Sequence, residues 1–137
     1  MLKTRLLSDK AKKPCFMTAK AACADVFLPV DIKIKARKVV KIPLDIAFDI
    51  PDGYKIVMYP RSSLLIKRGL VQPVSIIDAD YHGNVHAPVY NIHLLRSVKL
   101  KAGERIAQIE LIECGACTDW NKVNSDRDQN GFGGTGK

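Results

Sequence analysis

Apolar and polar residues alternate strictly over several short stretches. Ile32 and Ile34 alternate with Lys33 and Lys35. Leu44, Ile46, Phe48 and Ile50 alternate with Asp45, Ala47 and Asp49, and Tyr54, Ile56 and Met58 with Lys55, Val57 and Tyr59. A period of two is that of a half-buried β-strand. Ile106 to Ile112 is mostly apolar and predicts a more deeply buried strand. Prolines at 29, 43, 51, 60, 73 and 88 punctuate the chain, and Asp52-Gly53 marks a turn. Many short strands at close spacing predict an all-β sandwich or barrel. One stretch departs from this period. Ser62 to Gly69 carries a serine at the start and a glycine at the end, which predicts one or two turns of helix with Ser62 as N-cap. From Gly115 onward the chain is polar, and four of its nine glycines fall among the last seven residues.

Composition narrows the class. A chain of 137 residues is one domain's worth and long enough for a core without disulfides. Hydrophobic residues make up 47% and charged residues 26%, a globular balance. No apolar run approaches a membrane helix in length. Met1 to Arg5 lacks the apolar core of a secretion signal. These features predict a cytoplasmic protein, or one of a host cytoplasm if viral, and not a secreted one. The four cysteines are then thiols. With 22 basic and 14 acidic residues the net charge is +8, which favours polyanions or simply a solvated basic surface.

Several segments carry candidate chemistry. In Ile76 to Gly83, Asp78 follows two β-branched residues and stands at a strand end, where a carboxylate orients and deprotonates a water; Asp78, Asp80 and Gly83 would equally serve a hairpin. Tyr59 to Leu64 sets Arg61 and Ser62 at a helix start, either an anion site or plain N-capping. In the tail, clustered glycines suit the wrapping of phosphate oxygens, and Phe132 suits stacking; the bland alternative is a disordered end. Gly131 to Lys137 matches GxxxxGK formally, but no Ser/Thr or helix follows it. Cys114 and Cys117 form a CxxC without a second pair, a weak zinc signal. His82 and His86 lie in a stretch that reads as strand, which holds them too far apart to share an ion. His93 reads as a satisfied, partly buried histidine.

Taken in order, five segments resemble the trimeric dUTP pyrophosphatases (dUTPases). They are Ala22-Cys23-Ala24-Asp25-Val26, Pro60-Arg61-Ser62-Ser63-Leu64, Ile77-Asp78-Ala79-Asp80-Tyr81-His82-Gly83, Gly103-Glu104-Arg105-Ile106-Ala107-Gln108-Ile109, and Arg127 to Gly136. The resemblance implies a jelly-roll, β-barrel-like domain over 1–114 and an arm over 115–137 that closes a site on a neighbouring subunit. It implies a homotrimer with shared sites that hydrolyses dUTP to dUMP and pyrophosphate with Mg2+. That reaction limits uracil in DNA and supplies dUMP for thymidylate synthesis. By position, Asp78 would activate water and Tyr81 would pack under the deoxyribose and exclude a 2′-hydroxyl. Gln72, Ser75 and Ile77 would line the uracil. Arg61, Ser62, Ser63 and Gln108 would hold phosphates or metal-bound waters, and Asp25 would reach the metal through water. Phe132 would stack on uracil, while Arg127, Gly133, Gly134 and Thr135 would clamp phosphates; His86 would contact ligand.

The chain departs from the family pattern at Gln72 for asparagine, at Ser75, Asp128 and Asn130 for glycines, and at Gly134 for serine. The related dCTP deaminases carry an arginine and a glutamate where this chain has Ile66 and Pro88, so it lacks the ionisable group that deamination needs. A non-enzymatic basic nucleotide- or nucleic-acid-binding module is the remaining class. The aromatic residues form no stacking cluster for it, and nucleic acid is not an expected partner, nor is a membrane.

Overall fold

The computed structural model describes residues 1–115 and Trp120. Eleven strands and one helix follow one another along the described residues: β1 (Lys3–Leu6), β2 (Ala24–Phe27), β3 (Ile32–Ile34), β4 (Val39–Pro43), β5 (Ile46–Asp49), β6 (Tyr54–Tyr59), α1 (Ser62–Arg68), β7 (Leu70–Val71), β8 (Ser75–Ile77), β9 (His86–Asn91), β10 (Val98–Leu100) and β11 (Arg105–Glu113). All pairings are antiparallel and most join strands distant in sequence. The largest sheet has the order β2-β11-β6-β8, and a second has β4-β9-β7. The pairs β1-β5 and β10-β3 complete the arrangement.

The alternating stretches became β3, β5 and β6, and the apolar stretch near the end became β11. One core of Val, Ile, Leu and Phe side chains fills the interior, with Phe48, Ile56, Met58 and Ile106 among the most enclosed. Val57 is buried between Ile56 and Met58 against the outward position expected of it, and Ala47 departs likewise: it is fully buried, as are its neighbours Ile46 and Phe48. The strand is covered on both faces there, and a methyl group fits the second one without a cavity.

The helix also differs in detail. Arg61, with φ −99° and ψ 126°, is the cap residue; Ser62 is already helical and no side chain caps the start. Gly69 closes the helix at φ 63°, its N–H donating to the Leu64 and Leu65 carbonyls. A Cβ there would lie 2.5 Å from His93 Nε2, so this position needs glycine for space as well as conformation. Residues 82–85 are not a strand, contrary to the sequence reading; the strand begins at His86. The pattern Gly83-Asn84-Val85 ahead of it supplies turn chemistry rather than alternation.

Candidate functional site

Two groups of residues sit at opposite regions of the large sheet. The first forms where β2, β11, β6 and the start of α1 meet. Asp25 on β2 lies opposite Gln108 on β11, and Gln108 lies opposite Tyr59 on β6. Residues opposite each other share a face. Gln108 and Arg105 are three apart, so an unbroken strand would point them to opposite faces. A register shift between Arg105 and Ala107 sets Arg105 opposite Phe27, two residues from Asp25 on the same face. The bulge thus turns Arg105 onto the side of Asp25 and Gln108, the re-aiming that bulges perform near sites.

The result is a carboxylate between two guanidiniums. Asp25 is only 8% exposed. Its Oδ1 is 3.2 Å from Arg61 Nε and its Oδ2 is 3.0 Å from Arg105 Nη1. Arg61 Nη1 also donates to the Arg105 carbonyl at 3.1 Å. Gln108 Nε2 donates to the Pro60 carbonyl at 3.2 Å, tying β11 to the segment entering α1. Ser63, Leu64, Lys67, Arg68, Glu104 and Arg105 line a cavity of about 580 Å³ beside Arg61. Ser62 is exposed and Ser63 half-buried. Cations outnumber carboxylates there, so the cavity suits an anion.

The second group surrounds the end of β8. Ser75 and Ile77 pair with Met58 and Ile56 of β6, and Asp78 follows directly. The expectation of a carboxylate at a strand end is met: Asp78 is half-buried, and its carbonyl accepts the Tyr81 N–H at 3.1 Å. The Tyr81 ring lies across Gly83, where a Cβ would meet Tyr81 Oη at 2.8 Å and Cζ at 3.0 Å. A side chain two residues after the tyrosine would therefore displace the ring. Tyr81 Oη donates to the Asn84 carbonyl at 2.7 Å, and His86 Nδ1 lies 2.7 Å from the same oxygen. Asn84 Nδ2 in turn donates to Asp45 Oδ1 at 3.2 Å. Burial, opposed by that contact with Asn84, holds the His86 imidazole below its ordinary pKa. Gln72 is 6% exposed; its Nε2 points at Met58 Sδ, 3.4 Å away, and its Oε1 accepts no hydrogen bond from the described residues.

Within one chain these groups do not meet. If the β8 ladder is continued, Asp78 stands level with Lys55, whereas Gln108 stands level with Tyr59. That is four residues along the strands, about 13 Å, and two strand spacings across, about 10 Å.

A family model described as dUTPase matches residues 9–137. The chain belongs to the dUTPase family. A deoxyuridine 5'-triphosphate nucleotidohydrolase of Candida glabrata is 32% identical over 141 residues, covering 100% of this chain and 97% of that protein. The dUTPase of Staphylococcus bacteriophage 80alpha, solved as a mutant with dUpNHpp, superposes with a TM-score of 0.79 at 26% identity, over 100% of this chain and 99% of that one. The phage phi11 dUTPase, whose structure concerns the coordination of a structural Mg(II) ion, shares the fold with a TM-score of 0.81 at 23% identity, over 93% and 99% of the two chains. The β-strand framework with one short helix is accordingly the jelly-roll-like dUTPase fold.

Asp25, Arg61, Ser63 and Gln108 gather in the first group; Gln72, Ser75, Ile77, Asp78, Tyr81 and His86 in the second. Arg127, Phe132, Gly133, Gly134 and Thr135 lie outside the described residues, as does Cys117 of the CxxC. Sequence reasoning missed Arg105 and Asn84. Arg105 stands inside the fourth quoted segment, but only the bulge reveals its direction. Asn84 acts mainly through its backbone carbonyl, which leaves no mark in a side-chain pattern. His93 is half-buried, with Nε2 3.0 Å from the Arg68 carbonyl and 2.8 Å from Arg96 Nη2.

Among the described residues no three His, Cys, Asp or Glu side chains gather to hold a metal. Both Asp25 oxygens already accept from arginine. Their remaining lone pairs suit water better than direct ligation. This donor set fits a magnesium ion that keeps its waters and arrives with the substrate's phosphates.

Proposed function

We propose that this chain is a dUTP diphosphatase, hydrolysing dUTP to dUMP and pyrophosphate, and that it works as a homotrimer with sites shared between subunits. The separation of the Asp78 group from the Arg61 group within one chain carries this reading. Each half is chemically incomplete. One has anion-binding groups, its Asp25 held between two arginines; the other has a base and a sugar platform, where the Arg5 guanidinium is engaged by the His82 carbonyl and by Asp49. Apposing the first half of one copy to the second half of another completes the site. Family membership supports the substrate, and the phage relative solved with dUpNHpp supports binding of the whole nucleotide.

In that site Asp78 takes a proton from water as the oxygen attacks the α-phosphorus, and pyrophosphate leaves. Arg61, with Ser62, Ser63 and Gln108, holds the phosphates. Tyr81, fixed by Asn84 and Gly83, packs under the deoxyribose and leaves no room for a 2′-hydroxyl. The imide N–H of uracil offers Gln72 Oε1 the donor it lacks, with Ser75 and Ile77 alongside. His86 borders the ligand. Bound Mg2+ would neutralise phosphate charge, with Asp25 accepting from its waters. Residues 115–137 form the arm that closes the site, with Phe132 on uracil and Arg127, Gly133, Gly134 and Thr135 on phosphates. Among the described residues no helix is long and apolar enough to cross a membrane. The cytoplasm, where DNA precursors are made, is the proposed location.

Deamination of dCTP is not favoured. Pro88 occupies β9 opposite Lys41 and offers no proton. The test is a panel of dUTP, UTP, dCTP and dTTP with Mg2+, following pyrophosphate and ammonia. Pyrophosphate from dUTP far above the others is expected; ammonia from dCTP would overturn the reading. A mixture of Asp78→Asn and Arg61→Ala subunits, unfolded and refolded together, should recover activity that neither variant has alone. A refolded wild-type control and an absence of rescue would overturn the shared site.

A further inference from the structure

The cavity beside Arg61 does not end the cationic surface. Lys67 and Arg68 also line a second, separate cavity of about 290 Å³, together with Arg96, Ser97, Val98 and Lys99. Among the described residues no carboxylate lines this outer cavity. Its walls are built rather than loose. Asn91, with 0% exposure, donates from Nδ2 to the Ile34 carbonyl at 3.0 Å and to the Arg96 carbonyl at 2.9 Å, while its Oδ1 accepts the His93 N–H. The loop presenting Arg96 is thereby pinned to β3 and to its own root. Arg68 reaches across the floor to Glu104 at 3.3 Å and to the Lys99 carbonyl.

The adjoining ladder sharpens the charge. Lys99 on β10 lies directly opposite Lys33 on β3, and both are exposed on one face. Like charges in that relation repel. Of the nearby acids, Asp31 accepts from Lys101 Nζ at 3.3 Å and from the Ala102 N–H, while Glu104 accepts from Arg68, a cation of this cavity, and from the Lys101 N–H. Of the two guanidiniums and two ammonium groups that face the concavity, only Arg68 has a carboxylate partner, Glu104, among the described residues, so the repulsion of the four cations is only partly relieved. A multivalent anion relieves it, and arginine forks suit phosphate oxygens.

We propose that the outer cavity is a polyphosphate-docking subsite, joined to the cavity beside Arg61 through Lys67 and Arg68. It captures the phosphate chain of substrate on entry, or pyrophosphate on departure, outside the reacting centre. This rests on the reading of the Arg61 cavity as the phosphate end of the site. Arg96 and Lys99 touch no reacting atom. Their field acts on capture, which raises the association rate and is screened by salt.

The test uses the full chain and the double variant Arg96→Ala/Lys99→Ala, with Arg96→Lys/Lys99→Arg as the charge-conserving control. Inorganic pyrophosphate is titrated by calorimetry at low ionic strength. Wild type and the control should bind two equivalents per chain, and the alanine variant one. In a second arm, kcat/KM for dUTP is followed against salt. If substrate uses the subsite, the alanine variant should lose about three- to tenfold in kcat/KM at low salt, converge with wild type at high salt, and keep its kcat. If only departing pyrophosphate uses it, the binding difference should appear without the salt-dependent loss. Identical pyrophosphate stoichiometry in a folded alanine variant would overturn the proposal. The calorimetric arm does not need turnover, so a failure of the dUTP reading would show separately, as wild type without dUTPase activity.

Discussion

Replacing Asp25 by asparagine tests whether this carboxylate holds the arginines or serves the metal. Asparagine keeps the shape but presents one acceptor and one N–H2. One arginine therefore loses its acceptor and faces a donor. Breaking a fully buried ion pair costs about 3–5 kcal/mol. The side chains of Arg61 and Arg105 are 22% and 40% exposed, so water restores part of that loss. A cost of about 2–3 kcal/mol remains. At a urea slope typical of a chain this size, the unfolding midpoint should fall by about 1–2 M. Protein concentration must be held constant, because the proposed assembly would add to apparent stability. A loosened Arg61 should also lower kcat/KM for dUTP by about tenfold, equivalent to some 1.4 kcal/mol of transition-state stabilisation. A double-mutant cycle of Asp25→Asn with Arg61→Ala isolates the contact, and strong coupling in both stability and kcat/KM is expected. A variant with the wild-type midpoint and no coupling, but an altered Mg2+ requirement, would refute the clamp and assign Asp25 to the metal's water shell.

Asp78→Asn should leave nucleotide binding nearly intact and lower kcat on the order of 10²-fold or more, as expected for a lost general base; unchanged single-turnover rates would exclude Asp78 from that role. Gly83→Ala should push the Tyr81 ring off its place, break its bond to the Asn84 carbonyl, cost about 1–3 kcal/mol and reduce the preference for dUTP over UTP, read from the ratio of their kcat/KM values. His86 is held neutral in the fold by burial, so the unfolded chain binds its proton first as pH falls. Stability from this residue should be intact above about pH 6.5 and decline below it, and His86→Gln should flatten that part of a urea-midpoint profile.

The sequence alone determined which backbone stretches are extended and where they break. Alternation at Ile32–Ile34, Leu44–Ile50 and Tyr54–Tyr59 identifies strands because successive side chains of an extended chain point to opposite faces. Glycine after a short apolar turn identifies the end of α1, and the β-branched pair Ile76-Ile77 identifies the strand end that presents Asp78. The order of the five segments was sufficient for the family, since each keeps its chemical residues locally. Tertiary structure decided what those residues face. Whether Arg105 points with Gln108 or away from it depends on one extra residue in a ladder between strands some 80 positions apart. No local pattern encodes that bulge. Ala47 is buried because a second layer covers its strand, which alternation counts as outside. The distance between Asp78 and Arg61 likewise follows from the strand order β2-β11-β6-β8, a property of long-range pairing. Periodicity reports the environment of a residue relative to its own neighbours; pairing energy across the chain fixes which neighbours from elsewhere supply its charge and its hydrogen bonds.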